Sequence, residues 1–322
     1  MATKRKIGKS DLEVSPFVLG GNVFGWTADE KASFEILDAY LEAGLNFIDT
    51  ANVYSAWAPG NKGGESETII GKWLKQSGNR NKIVLATKVG AEVSPDNKGL
   101  KKDYIIKQAE ESLRRLQTDH IDLYFNHFDD LSTPVEETLE AFTQLVKEGK
   151  VRYIGASNVS KERIIESLDK SAKNGYAEYV CLQPEYNLYN RSRYELEYEP
   201  IAEKYNLGVV SYYSLASGFL TGKYDFGKQA EGQRSSAVNL FMNDRGKMII
   251  ESLLQVAKET NATPAQVALA WLIARPSITA PIASVSKASQ LDILKAVDLK
   301  LDNASIEKLN NASKYTKPFS LC

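Results

Sequence analysis

The chain has 322 residues, 43 % of them hydrophobic and 25 % charged, enough to bury a sizeable core. Its 40 Lys and Arg against 41 Asp and Glu leave a net charge of -1, which gives no global electrostatic case for nucleic acid or an anionic membrane surface. The basic start MATKRKIGKS runs into DLEVSPFVLGG instead of an apolar leader core, and no apolar run approaches the ~18 residues of a spanning helix, so a soluble, cytoplasmic protein is expected.

Residues 4 to 14, KRKIGKSDLEV, carry a Gly-Lys-Ser-Asp turn between two short extended pieces and predict a small hairpin ahead of the main fold. FVLGG, 17 to 21, is a short apolar run ending in glycines. DEKASFEILDAYLEAG, 29 to 44, follows with apolar residues at helical spacing, acids in its first turn and Gly44 at its end. The alternation then continues. Strands are expected near 46–49, 83–88, 121–126, 151–155, 179–182, 208–212 and 278–282. Helices are expected near 65–77, 103–117, 134–148, 161–174, 195–206, 244–260, 264–274 and 287–296. The two cysteines, Cys181 in an expected strand and Cys322 at the end, suit neither a disulfide framework nor a zinc spacing.

Parallel strands need crossovers of about a dozen residues, and strand-helix alternation supplies them. Counting FVLGG first, eight such units over this length predict an α/β fold, a closed (β/α)8 TIM barrel with an N-terminal β-hairpin, as one domain over 1–322. A doubly wound dinucleotide fold would carry a glycine-rich turn after its first strand, and LGGNVFGW lacks the G-x-G-x-x-G spacing. Two long loops stand out at strand ends where a barrel keeps its site: TANVYSAWAPGNKGG and residues 213 to 243.

Three successive expected strands end in chemistry. NFIDTANVY ends a strand in Asp49 and delivers Tyr54, NKIVLATKVG ends in Thr87 and Lys88, and IDLYFNHFDD ends in His127. Buried carboxylate and ammonium each require a partner, and a parallel barrel opens all strand ends on one face, so the four converge. Singly, Asp49 reads as a turn cap, Lys88 as a solvated strand end, Tyr54 as a packed ring and His127 as a hydrogen-bonded core residue. Together they make Tyr54 a proton donor with Lys88 lowering its pKa, Asp49 supporting Lys88 and His127 orienting a carbonyl oxygen. His120 precedes its strand and is expected at the opposite end of the barrel.

On these residues the sequence resembles the aldo-keto reductases along almost its whole length. NFIDTANVY is similar to that family's Asp and Tyr motif, LATKVG to its Lys strand and DHIDLYFNHFD to its His strand. VRYIGASNVS, LQPEYNLYNR and LASGFLTGKY match later segments in order. The resemblance implies hydride transfer from a reduced nicotinamide to an aldehyde or ketone, with Tyr54 protonating the forming alkoxide. It implies Ser157, Asn158 and Gln183 around the nicotinamide carboxamide, residue types whose donors and acceptors suit that group. It further implies Tyr212 stacked on the nicotinamide, Leu215 and Ser217 with the GFLTGKY backbone along the pyrophosphate, and Lys223 and Arg234 as charge partners.

Two segments depart from the family pattern. YYSLASG stands where many relatives have Tyr-Ser-Pro-Leu, which leaves the roles of Tyr212, Tyr213 and Ser214 open by one place. PIASVSKASQLDIL retains Ser284 and Gln290 but lacks the Arg and the Glu-Asn pair used around the adenosine phosphate; Lys287 is the substitute point charge. NADPH is the expected cofactor, with NADH the alternative, and a small-molecule carbonyl is the expected partner. Trp57, beyond Tyr54, either walls the substrate pocket or pins its own loop. Residues 313 to 322 either fold over the barrel mouth or fray. The competing readings are a cofactor-binding regulatory or sensor subunit, as the potassium-channel beta subunits of this family imply, and a barrel aldolase with Lys88 as a Schiff base. A metal hydrolase has too few histidines at strand ends.

Overall fold

The structure, a computed structural model, describes residues 3–231 and 235–315. The expectations for Arg234, for Cys322 and for the end of the tail lie outside these residues. In chain order a hairpin of β1 (Arg5–Lys6) and β2 (Glu13–Val14) precedes β3 (Val18–Gly20), α1 (Glu30–Glu42), β4 (Phe47–Asp49), α2 (Glu65–Ser77), β5 (Val84–Val89) and α3 (Lys102–Leu116). Then come β6 (Ile121–Asn126), α4 (Val135–Lys147), β7 (Val151–Ser157), α5 (Lys161–Asn174), β8 (Tyr179–Gln183), α6 (Glu199–Tyr205) and β9 (Gly208–Ser211). The last elements are α7 (Ser235–Asn239), α8 (Asp244–Glu259), α9 (Pro264–Ile273), β10 (Ala280–Ala283) and α10 (Asn303–Ala312). Among the described residues no helix is long and apolar enough to cross a membrane.

Local chemistry sets the helix ends. Asp29 opens α1 by accepting from the Ala32 amide at 2.8 Å, and Thr263 with Gln266 forms a reciprocal capping box at α9. Gly78 and Gly175, both left-handed, close α2 and α5.

The strands pair in parallel in the order β10-β3-β4-β5-β6-β7-β8-β9 and close into a barrel, with Ile282 opposite Val18 and Ala280 opposite Val210 sealing the ring. Side chains alternate across a strand. One apolar cluster contains Val18, Phe47, Val84, Ala86, Leu123, Phe125, Cys181, Val210, Ala280 and Ile282 together with Ile7, Leu12 and Val14 of the hairpin. This is the barrel interior, and the hairpin closes its floor. Gly8, at φ +51, makes that closure possible, since a Cβ there would stand 2.6 Å from the Val180 carbonyl and 2.7 Å from the Gly208 nitrogen. Asn46 ties the hairpin to the barrel by accepting from the Ser15 amide at 2.7 Å and donating to the Glu13 carbonyl at 3.0 Å.

Several expected elements differ in detail. The helix expected over 195–206 is a π turn, Tyr194–Tyr198, followed by α6, because Pro200 has no amide hydrogen to continue a regular ladder. The segment expected as a helix over 287–296 winds as 3-10 turns from Ala288 to Val297. The strand expected over 278–282 begins two residues later, at Ala280. α7 and α10 were not foreseen. α10 is rich in Asn, a weak helix former, and tertiary contacts hold it: Asp302 caps the Ser305 amide at 2.8 Å, Asn310 accepts from the Trp271 indole at 2.9 Å, and Leu309 is buried.

α2 lies so close to α3 that a Cβ on Gly71 would stand 2.0 Å from the Arg115 carbonyl oxygen. Gly71→Ala is therefore expected to destabilise the protein by about 1–3 kcal/mol through overpacking, although alanine is the better helix former. Urea unfolding of the two proteins checks this, and an unchanged or raised midpoint contradicts it.

Candidate active site

Counting in twos from the interior residues to the carboxyl ends of the strands gives Gly20, Asp49, Lys88, His127, Ser157, Gln183, Tyr212 and Ser284. Seven of these eight are positions the sequence had singled out. Strand parity and barrel closure alone therefore bring them to one mouth, with Tyr54 on the turn after β4.

Lys88 is the centre. Its Nζ donates to Asp49 Oδ2 at 2.5 Å, to the Thr50 carbonyl at 2.8 Å and to the Tyr54 hydroxyl at 2.7 Å, which uses all three ammonium hydrogens. The side chains of the pair are 0 % and 2 % exposed, so neither charge reaches water. Asp49 Oδ1 in turn accepts from Gln183 Nε2 at 2.9 Å, and the half-buried Tyr54 hydroxyl donates to Asp49 Oδ2 at 3.3 Å. The His127 ring meets the Tyr54 ring edge-on at 5.9 Å, and its Nδ1 is buried with no hydrogen-bond partner.

The electrostatics correct one expectation. Burial, followed by the charge of Asp49, pushes the Tyr54 hydroxyl well above its usual pKa, so Lys88 does not bring it below the ordinary tyrosine value in this structure. Burial also lowers the Lys88 pKa, opposed by Asp49 and by Glu67. Burial and then the Lys88 charge hold His127 well below the usual histidine range, so its ring stays neutral.

The first turn of α2 fixes the two charged strand ends from outside, a role the sequence reading missed. Ser66 Oγ donates to the Gly21 carbonyl at 2.7 Å and shares a hydrogen bond with Thr50 Oγ1 at 2.8 Å. Glu67, fully buried, accepts from Thr87 Oγ1 at 2.5 Å and from Arg115 Nε at 2.7 Å. Acids in a first helical turn ordinarily read as partners of the helix dipole. The available hint was a threonine beside each of Asp49 and Lys88.

Ser157 Oγ donates to the Gln183 carbonyl at 2.9 Å, and Asn158, left-handed at φ 52, donates to the His127 carbonyl at 3.0 Å and accepts from the Tyr212 hydroxyl at 2.6 Å. Tyr212 therefore continues the interior face, Tyr213 is exposed, and Ser214 turns its hydroxyl to the Ser211 carbonyl at 3.1 Å. Leu215 is half-buried and Ser217 sits in a loop where Ala216, Ser217 and Gly218 are successively left-handed. Lys223 is exposed, its Nζ 5.1 Å from the Tyr224 ring, and is not part of the constellation. Ser284 Oγ pairs with Asn22 Oδ1 at 2.5 Å; Gln290 accepts from the Ser286 amide at 2.8 Å, and Lys287 is exposed beside it. Trp57 is exposed, edge-on to Tyr54 at 6.0 Å. His120 lies at the floor, with Asp119 at 2.6 Å, as expected from its place before β6.

The mouth of the closed parallel barrel thus holds an Asp–Lys–Tyr chain with a neutral histidine beside it. Comparison with known proteins gives the class: the Aldo/keto reductase family profile matches residues 16–314, and the chain belongs to that family of oxidoreductases. It is 40 % identical over 313 residues to the uncharacterized oxidoreductase YrpG of Bacillus subtilis, covering 95 % of this chain and 94 % of that one. It is 32 % identical over 306 residues to a probable voltage-gated potassium channel subunit beta of Arabidopsis thaliana, covering 92 % and 91 %. The Escherichia coli protein tas is 28 % identical over 343 aligned residues, covering 97 % and 99 %.

Thr87→Val leaves one oxygen of the buried Glu67 carboxylate without its donor and is expected to cost about 1.5–3 kcal/mol of stability, whereas Thr87→Ser keeps the bond. Thermal unfolding of both variants checks this, and equal behaviour contradicts it. Because the folded-state pKa of His127 is depressed, protonating it opposes folding, and stability falls as pH drops below the unfolded value of about 6.5. In NMR spectra the His127 ring resonances, assigned with a His120→Ala variant, are expected to stay fixed between about pH 8 and 6. Titration near the ordinary histidine value would contradict the neutral ring.

Proposed function

We propose that this protein reduces an aldehyde or ketone to the alcohol with NADPH, NADH being the weaker alternative, and that a small-molecule carbonyl is its partner. One observation carries the reading: the buried Lys88 ammonium bridges Asp49 and the Tyr54 hydroxyl at hydrogen-bond distance.

The residues of the mouth fit a nicotinamide by chemistry. Ser157, Asn158 and Gln183 supply one hydroxyl and two carboxamides, the donor and acceptor types a carboxamide pairs with, and Tyr212 supplies a ring face. Ser214, Leu215, Ser217 and the strained loop through Gly218 would follow the pyrophosphate, and Ser284, Lys287 and Gln290 the adenosine end, with Lys287 as a point charge. When bound, the reduced nicotinamide supplies a hydride to the carbonyl carbon.

The remaining steps belong to the chain's own side chains. Its raised pKa keeps Tyr54 protonated, so a proton is always available near neutral pH. The neutral His127 ring donates a hydrogen bond to the carbonyl oxygen and fixes its direction. As negative charge develops on that oxygen, Tyr54 turns its proton from Asp49 to the oxygen, and the Lys88 ammonium at 2.7 Å stabilises the phenolate left behind. Asp49 keeps Lys88 charged and in place throughout, and Tyr54 regains its proton from water.

The test is a fluorescence titration with NADPH and NADH, followed by a panel of aldehydes while the reduced-nicotinamide absorbance is recorded. Tight NADPH binding with aldehyde-dependent oxidation is expected; binding without oxidation removes the reductase reading, and no binding removes the cofactor. Tyr54→Phe is expected to lower kcat by about 10²-fold or more, with NADPH affinity within about twofold. Retained turnover would assign the proton to another group.

A further inference from the structure

Lys88 supports the proposed proton transfer only while it carries its charge, and its surroundings work against that charge. Burial lowers the ammonium's pKa most; Asp49 and then Glu67 oppose it. The ionisable groups around it come from every neighbouring element. Inside the barrel, burial and then Asp49 push up the Tyr54 hydroxyl and the Cys181 thiol, so both stay protonated near neutral pH, and the His127 ring stays neutral. Outside it, burial and then Glu67 raise the Tyr124 hydroxyl, and burial raises that of Tyr104. Among the described residues, the carboxylates that favour the charged form of Lys88 are therefore Asp49, in contact with it, and Glu67, on the other side of the barrel wall.

Glu67 is fully buried in the first turn of α2. One of its oxygens accepts from Thr87 Oγ1 at 2.5 Å, and Thr87 precedes Lys88 on β5, so the carboxylate is fastened to the outer face of the strand beside the ammonium. The other oxygen accepts from Arg115 Nε at 2.7 Å. This pair is lopsided. The Glu67 side chain is 0 % exposed and that of Arg115 16 %, and Arg115 also faces Glu111 at 3.8 Å. Water and Glu111 screen the cation while the anion lies in the unscreened interior, so the field that reaches Lys88 is negative. Apolar side chains of similar volume commonly stabilise such a place as well as an ion pair does or better. What they lack is the charge.

We infer that Glu67 is a positioning residue for the reaction: from outside the barrel it holds the charge on Lys88, with Thr87 as its anchor and Arg115 as its counter-charge. This rests on the reductase reading of the mouth. With Glu67 in place the ammonium survives to higher pH than Asp49 alone allows, and the upper pH limit of carbonyl reduction is set from α2.

The experiment reads Lys88 in two ways. In the full chain, the Lys88 Cε resonance, assigned with Lys88→Met, is titrated by carbon NMR; in parallel, kcat for butanal with saturating NADPH is followed over about pH 7 to 11. Glu67→Gln keeps an acceptor for Thr87 and removes the charge, and is expected to lower the Lys88 midpoint and the alkaline limb of kcat together by about one pH unit. Thr87→Val cuts the anchor and keeps the charge, and is expected to move either by less than about 0.3 unit. Arg115→Gln removes the counter-charge and is expected to move both upward, which gives an answer of its own if Glu67→Gln fails to fold. An unmoved limb in Glu67→Gln, or an equal fall in Thr87→Val, overturns the inference, because a merely structural role acts through the anchor. A downward or absent shift in Arg115→Gln overturns it as well. Midpoints that move as expected in a wild type and variants that oxidise no NADPH with butanal or other aldehydes remove the reductase reading and leave the coupling of Glu67 to Lys88.

Discussion

The structure turns on one buried ion pair. Removing an ammonium and a carboxylate from water costs several kcal/mol for each ion even after relaxation, and their attraction offsets this only when the remaining donors and acceptors are matched. Lys88 and Asp49 meet that condition: the ammonium has three acceptors, and the carboxylate receives Gln183 on its other oxygen. Two of those partners, the Tyr54 hydroxyl and the Gln183 amide, are functional groups of the proposed site. The same contacts that make the pair tolerable therefore hold the proposed proton donor in position, which ties stability to the proposed chemistry at this point.

Holding such a pair requires a rigid frame, and each layer of the barrel contributes to it. The hairpin seals the floor, so the interior below Lys88 is apolar. On the outside, Thr50 and Thr87 flank the two charged residues and face away from the interior by strand alternation. Ser66 and Glu67 of α2 seize those threonines, and Arg115 of α3 neutralises Glu67. The close approach of α2 to α3 at Gly71 brings Arg115 within reach. A second, partly buried charge pair thus stands behind the first.

The mouth is built with the opposite economy. The loop after β9 carries Tyr213, Ala216 and Ser217 in left-handed conformations that non-glycine residues rarely adopt, and Asn158 does the same after β7. Such strain concentrates where a ligand is to be met. Beyond β4 and β6, Trp57 and Phe128 are exposed and meet the rings of Tyr54 and His127. Rigid charge thus lies at the centre of the mouth and strained loops at its rim.

The sequence by itself determined the architecture and the four central residues. Strand-helix alternation with period-two and period-3.6 patterning is local information, and once a parallel barrel closes, the residues ending its strands must share a mouth. Asp49, Lys88 and His127 were therefore legible from position alone. Only tertiary structure decided the rest. Whether Lys88 acidifies Tyr54 depends on how completely water is excluded, and burial with Asp49 outweighs the ammonium. The π turn at Tyr194, the 3-10 winding after Lys287 and the existence of α10 depend on contacts distant in sequence, such as Trp271 with Asn310. The role of Glu67 was hidden for the same reason: a helix-start acid acquires meaning only when Arg115 and Thr87 arrive from elsewhere in the chain.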